Sequence, residues 1–300
     1  MISLHQLITN WDNFFFSPAP VYTLALFRIA FGLVLLYEAF FILANAKDYL
    51  GPNGLVRYDR YHKRSEGRYL SVFLVLPPTM ASVYWVLGLH IVFLVCMILG
   101  LYTSVTVVCV YVTLCSIVNR NPTICNGGDN VARIMCFFLM FASSGHAYSL
   151  DAYFFHLHAP GDSAFVLQAP WALRLMQVQV SIIYAYTAYW KLKGVTYRDG
   201  TAMYYVMGNH TYRRYNLPKV LLRKPMVQVL TWVALLVEFA LGFGLWISDF
   251  TYPVLLLGFI LHLTIEYILS VHLFSWYMMA VLLLFIPPAD VAHSVSYFIK

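Results

Sequence analysis

Lys191 stands at the end of an apolar run within Tyr184 to Gly200 (YAYTAYWKLKGVTYRDG), with Lys193 beside it and Tyr197, Arg198 and Asp199 following. Hydrocarbon disfavours the charged form of an amine, so a lysine at its edge is a candidate proton acceptor at neutral pH. The same position also suits a lysine that only snorkels its charge toward the headgroups. A second concentration of chemistry lies in NRNPTICNGGDNVAR, Asn119 to Arg133. There Asp129 and Arg133 are spaced i, i+4, so Arg133 can reach back to an Asp129 that caps the helix. Asn126, Gly127 and Gly128 precede that helix start, where free backbone N–H groups suit an oxyanion, a carboxylate or a carbonyl. A plain capping turn explains the same residues.

The other ionisable groups are scattered along apolar segments, where each is costly unless it faces protein, water or a ligand. Arg28 (LFRIAFG) and Glu38 occupy one helix about 15 Å apart, too far to pair directly. Arg28 therefore needs a partner elsewhere, either an acidic group on another helix or a substrate. His262 and Glu266 share a helical face, and His272 follows; with no HExxH motif, a packed histidine bonded to Glu266 is the simpler expectation than a metal site. Glu238, alone in LLVEFALGFG, needs a histidine or an arginine.

The elements that position these groups follow from composition. With 61% hydrophobic and 11% charged residues, the chain carries more apolar surface than a water-soluble core can hide. It reads as an all-α, polytopic transmembrane helical bundle of about eight spans with interfacial or re-entrant helices. The spans run approximately Thr23–Ala44, Pro78–Gly100, Thr103–Val118, Val131–Leu150, Trp171–Trp190, Met226–Trp246, Pro253–Leu269 and His272–Pro287, the last two being a candidate re-entrant pair. They form one membrane domain over residues 1–300 with polar excursions at about 45–77 and 191–225. The first residues, with Trp11, Phe14, Phe15 and Phe16 and no basic leader, predict an interfacial helix rather than a cleavable signal peptide.

Basic residues fall on one side of this arrangement: those from Lys47 to Arg68, then Arg120, then those from Lys191 to Lys224, with Lys300 opposite. Positive charge of this kind marks the cytoplasmic side, so the net charge of +6 reports topology and not nucleic-acid binding. Of the five cysteines, four sit inside apolar spans as small hydrophobes, and no CxxC pair is present. Asn209-His210-Thr211 fits a glycosylation sequon, which matters only in a eukaryotic secretory setting.

Several segments occur together in an order that carries a resemblance: LALFRIAFGLVLLYE, GPNGL at 51–55, NGGDNVARI at 126–134, ASSGHAYSLDA at 142–152, the Lys191 segment, and LHLTIEYILSVHLFSW from Leu261. Together they resemble the HTTM family, the membrane domain shared with the vitamin K-dependent gamma-carboxylases. The resemblance covers nearly the whole chain. It implies that Lys191 is the base acting on a quinol, vitamin K hydroquinone or menaquinol, whose oxidation yields a stronger base that deprotonates a peptide glutamate for CO2 addition. Lys193 is the alternative base, and His262 matches a histidine of the late helix motif. Where the carboxylase has an Asn-Asn-His-Ser run, this chain has Asn126-Gly127-Gly128-Asp129, with no histidine.

Two classes of function follow. In the first, a quinol-using or lysine-base membrane enzyme modifies a peptide or protein, with Lys191, Asp129, Arg133 and His262 catalytic. Arg28, Tyr184 and Glu266 then line the cofactor pocket, and Asn126, Gly127, Gly128, Tyr197 and Asp199 meet the substrate. In the second, a non-carboxylating maturation factor holds an exported bacterial peptide and acts with a partner protein. A transporter is weaker, because no inverted repeat is evident. The expected setting is a bacterial inner membrane. The Lys191 side is cytoplasmic by charge count and extracytoplasmic by resemblance.

Overall fold

The computed structural model describes residues 3–65, 71–158 and 163–299; Arg68 and Lys300, part of the charge count, lie outside them. Among the described residues the chain is all-α apart from a two-residue ladder and one isolated bridge, and it separates into two compact units, Met1–Arg174 with Pro287–Lys300, and Leu175–Ile286. Among the described residues, five helices are long and apolar enough to cross a membrane: Tyr22–Ala44, Met80–Leu99, Thr103–Arg120, Lys224–Trp246 and Ser248–Ile268. A sixth span arises if Phe274–Phe285 and Pro288–Tyr297 form one broken crossing. The polytopic helical architecture is thus as expected, with fewer full-length apolar spans than the expected eight. The expected Val131–Leu150 span is a helix of only 13 residues, Gly127–Leu139. Trp171–Lys193 has the length, 23 residues, but Arg174, Gln177, Gln179, Lys191 and Lys193 interrupt its apolar run.

In the first unit, Leu4–Phe16 begins with a capping box in which the Ser3 hydroxyl accepts from the Gln6 N–H, and it buries no residue. Such a helix fits an interface, as its aromatics suggested. Tyr22–Ala44, Met80–Leu99 and Thr103–Arg120 pack in sequence. Gly32 permits the first contact, because a Cβ there would press on the Ile98 side chain. The next connection is tight: Gly100 closes one helix at φ 69° and Tyr102 opens the next at φ 47°, both left-handed.

The excursion from residue 45 is more than a polar loop. Leu50, Tyr61 and Phe73 are buried with Ile42, Val83, Leu87 and Ile117 in an apolar cluster. Arg120 fastens it, donating to the carbonyls of Val56 (2.8 Å) and Gly51 (2.7 Å) beneath the Tyr58 and Tyr61 rings.

In the second unit, the helix ending at Lys193 packs against Lys224–Phe243 at a point where a Cβ on Gly242 would lie 3.2 Å from the Ala185 nitrogen. Lys224–Phe243 in turn meets Thr251–Ile268, whose Gly258 faces the Leu241 and Leu282 side chains. Small residues thus bring three helices together within one turn of Glu238 and His262. The second excursion is tied down at its middle, where Arg213 bridges Leu269, the Arg214 N–H donates to the Ile268 carbonyl (2.9 Å) and the Ser270 N–H to the Tyr212 carbonyl (2.6 Å).

Candidate functional site

Lys191 donates from Nζ to Oε1 of Glu238, one turn from the Gly242 contact on the neighbouring helix. The ammonium keeps 24% of its side-chain exposure and the carboxylate 10%, so the pair sits at the edge of the interior. Because 191 meets 238 while 185 meets 242, the two helices run antiparallel. Tyr184 is two turns before Lys191 and on the same side of its helix. It is buried, and its hydroxyl lies 2.7 Å from Nε2 of His262, which is only 2% exposed. The Lys191 charge acts on His262 and the Glu238 charge on Tyr184, which joins the two pairs into one constellation. Two atoms of it, Glu238 Oε2 and His262 Nδ1, are buried without a hydrogen-bond partner among the described residues. A buried polar atom left unpaired costs about 1–3 kcal/mol, which a ligand bearing a hydroxyl could relieve.

Lys193 behaves differently from Lys191. Its Nζ lies over the exposed rings of Tyr189 (4.4 Å) and Trp190 (5.1 Å), the posture of a snorkelling side chain. Tyr197 joins Lys191 instead, its ring centroid 5.5 Å from Nζ. Asp199 serves its own turn, its Oδ1 accepting from the Thr201 N–H (2.9 Å) and hydroxyl (2.6 Å). These bonds hold its carboxyl below the ordinary carboxylate value, and the Lys224 charge helps. Glu266 does not bond His262; it pairs with Arg214 at 3.1 Å and clamps the second excursion to the helix end.

The remaining expected residues lie in the first unit, so the structure assigns them to a different body from Lys191. Arg28 meets no carboxylate directly: it donates to the carbonyls of Ser144 and Tyr148 (2.5 and 2.6 Å), with Asp151 acting on it through space. The Asn126–Asp129 turn is a capping box. The Asp129 carboxylate accepts the Asn126 N–H at 2.6 Å, and the Asn126 side chain accepts the Gly128 N–H at 2.6 Å. Gly127 and Gly128 form the first helical residues, so the Gly128 N–H is already occupied. Arg133 reaches Asn130 at 2.5 Å, not Asp129, because both lie on the exposed side of the helix while Asp129 is buried.

Glu238 is the member that sequence reasoning placed with the wrong partner. A lone carboxylate in an apolar helix signalled a need for a cation, and that cation is Lys191, 47 residues earlier, rather than a histidine or an arginine. No curated protein and no solved structure matches the chain. The family model for the HTTM domain matches residues 16–289. That match takes in both units and nearly the whole length, so the chain belongs to the HTTM domain family.

Proposed function

We propose that this membrane protein is an enzyme that binds a lipid-soluble quinol and modifies a peptide or protein substrate, with the Lys191–Glu238 pair as its base. The observation that carries the reading is the pairing of Lys191 with a buried glutamate beside two unsatisfied polar atoms, Glu238 Oε2 and His262 Nδ1. The donor and acceptor set suits vitamin K hydroquinone or menaquinol: Glu238 Oε2 would accept from a ring hydroxyl, and His262 Nδ1 would offer a further polar contact. When bound, the quinol supplies the reducing equivalents and the oxidised strong base of the carboxylase chemistry.

The chain's own residues divide the remaining work. The Lys191 ammonium holds the Glu238 carboxylate in place through Oε1, and the unpaired Oε2 of that carboxylate is the acceptor offered to a ligand proton. Tyr184 holds the His262 ring in place through Nε2, so that Nδ1 presents a fixed polar atom. The surrounding helices leave Glu238 only 10% exposed and Lys191 24% exposed, which limits the access of water to the base.

Native mass spectrometry of the detergent-purified protein, followed by organic extraction, tests this reading on wild type and on Glu238→Gln. A quinone recovered from wild type and depleted in the variant is the expected result. Retention of a peptide or a partner chain with no quinone would contradict it and favour the maturation-factor alternative.

A further inference from the structure

The segment ASSGHAYSLDA, residues 142–152, takes no part in the proposed chemistry, yet it builds a cleft of about 230 Å³ wholly inside the first unit. Thr103, Ser104, Ser143, His146, Asp151 and Phe165 contribute to its wall. His146 is set with unusual care for a half-buried histidine. Its Nδ1 lies 3.0 Å from the Phe165 carbonyl, which can only accept, so Nδ1 carries the proton and Nε2 keeps a lone pair. The imidazole also stacks on the Phe165 ring at 4.2 Å, and that ring stacks on Phe155 at 3.9 Å. Burial holds the imidazole below its ordinary value, against the opposing effects of the Phe165 carbonyl and Asp151, so at neutral pH it is uncharged.

The charges around the cleft are already matched. Asp151 accepts from the N–H groups of Tyr102 and Thr103 and from the Thr103 hydroxyl, each at 2.7 Å, and thereby caps the helix Thr103–Arg120. The same carboxylate faces the Arg28 charge, while the guanidinium holds the 144–148 turn through two carbonyls. A cation or an anion entering here would find no uncompensated opposite charge. What is offered is the Nε2 acceptor and two serine hydroxyls able to give or take a hydrogen bond. The volume falls below the roughly 300 Å³ at which pockets for drug-sized ligands begin, so it suits a small group.

The geometry points to a second binding site, independent of the quinol reading, that takes an uncharged polyol in the cleft beside His146, in particular the terminal glycerol of a lipid headgroup. The lipid source is favoured by what surrounds the cleft. It opens at the start of a candidate membrane span, its wall includes the exposed Phe141, and the helix Leu150–His158 that carries Asp151 also presents the exposed Tyr153, Phe154 and Leu157. Exposed aromatic and aliphatic side chains of this kind belong at the headgroup level of a bilayer.

The test uses the full chain in nanodiscs of phosphatidylethanolamine with graded phosphatidylglycerol, lipid retention being read by native mass spectrometry. His146→Asn keeps a donor for the Phe165 carbonyl but loses Nε2, and His146→Phe keeps the stack but loses both nitrogens. Each is expected to lower phosphatidylglycerol retention about fivefold, the effect of one hydrogen bond, with the thermal midpoint unchanged in His146→Asn. Displacement of the lipid by free glycerol in wild type but not in the variants supports the shared hydroxyl chemistry. Displacement by glycerol with no preference for phosphatidylglycerol assigns the site to a soluble polyol and overturns the lipid source. Equal retention by all three proteins overturns the site.

Discussion

Lys191 and Glu238 are each expensive in an apolar helix, and each offsets the cost of the other. Removing one partner leaves a charge at the edge of the interior without its counter-ion, whereas removing both leaves apolar packing. Lys191→Met and Glu238→Leu alone are each expected to destabilise the protein by about 2–3 kcal/mol, below the full figure for a buried pair because Lys191 keeps 24% exposure. The double variant Lys191→Met/Glu238→Leu is expected to return to within about 1 kcal/mol of wild type in thermal unfolding in detergent micelles. A double variant in which the two single destabilisations simply add would contradict the pairing. The individual residues were legible in the sequence, since an ionisable group in an apolar run announces itself by its cost. Their pairing was not, because 47 residues and a folded excursion separate them and helix periodicity says nothing about partners on another helix. His262 and Glu266 show the converse error: correct i, i+4 spacing suggested a bond, yet tertiary partners, Tyr184 and Arg214, took both side chains.

At the scale of elements, the site depends on how closely two antiparallel helices approach. Gly242 sets that distance at Ala185, one turn from Glu238. Gly242→Leu is expected to cost about 1–3 kcal/mol and to spread the helices enough to loosen the Lys191–Glu238 bond. The coupling between Lys191→Met and Glu238→Leu in thermal unfolding, measured with and without Gly242→Leu, reads the separation; unchanged coupling would contradict the role given to Gly242. Helix positions were legible because hydropathy reports them directly. Helix length was less so: Gly127–Leu139 stops early because the chain turns through 140–146, held by Arg28 on the Ser144 carbonyl, a contact 116 residues long in sequence. The expected Asp129–Arg133 bond failed for a similar reason, as the capping turn consumed Asp129 before Arg133 could reach it.

For the whole molecule, charge predicts sidedness. Lys191, Arg214 and Arg120 are engaged within the fold, but Lys193, Lys219, Arg223 and Lys224 remain exposed and keep the positive bias of the second excursion. A cysteine introduced at Asn209 is therefore expected to react with a membrane-impermeant maleimide in inverted vesicles and not in intact cells; the reverse would place the site on the side implied by the carboxylase resemblance. The role of the Lys191–Glu238 pair as the base is tested by modification of a glutamate-containing peptide by the reconstituted protein with reduced quinol, oxygen and labelled bicarbonate, for wild type, Lys191→Ala and the stability-matched double variant Lys191→Met/Glu238→Leu. Labelled peptide is expected from wild type alone, with loss of at least about a hundredfold in both variants despite intact folding of the double variant. Undiminished product from the folded double variant would contradict that role.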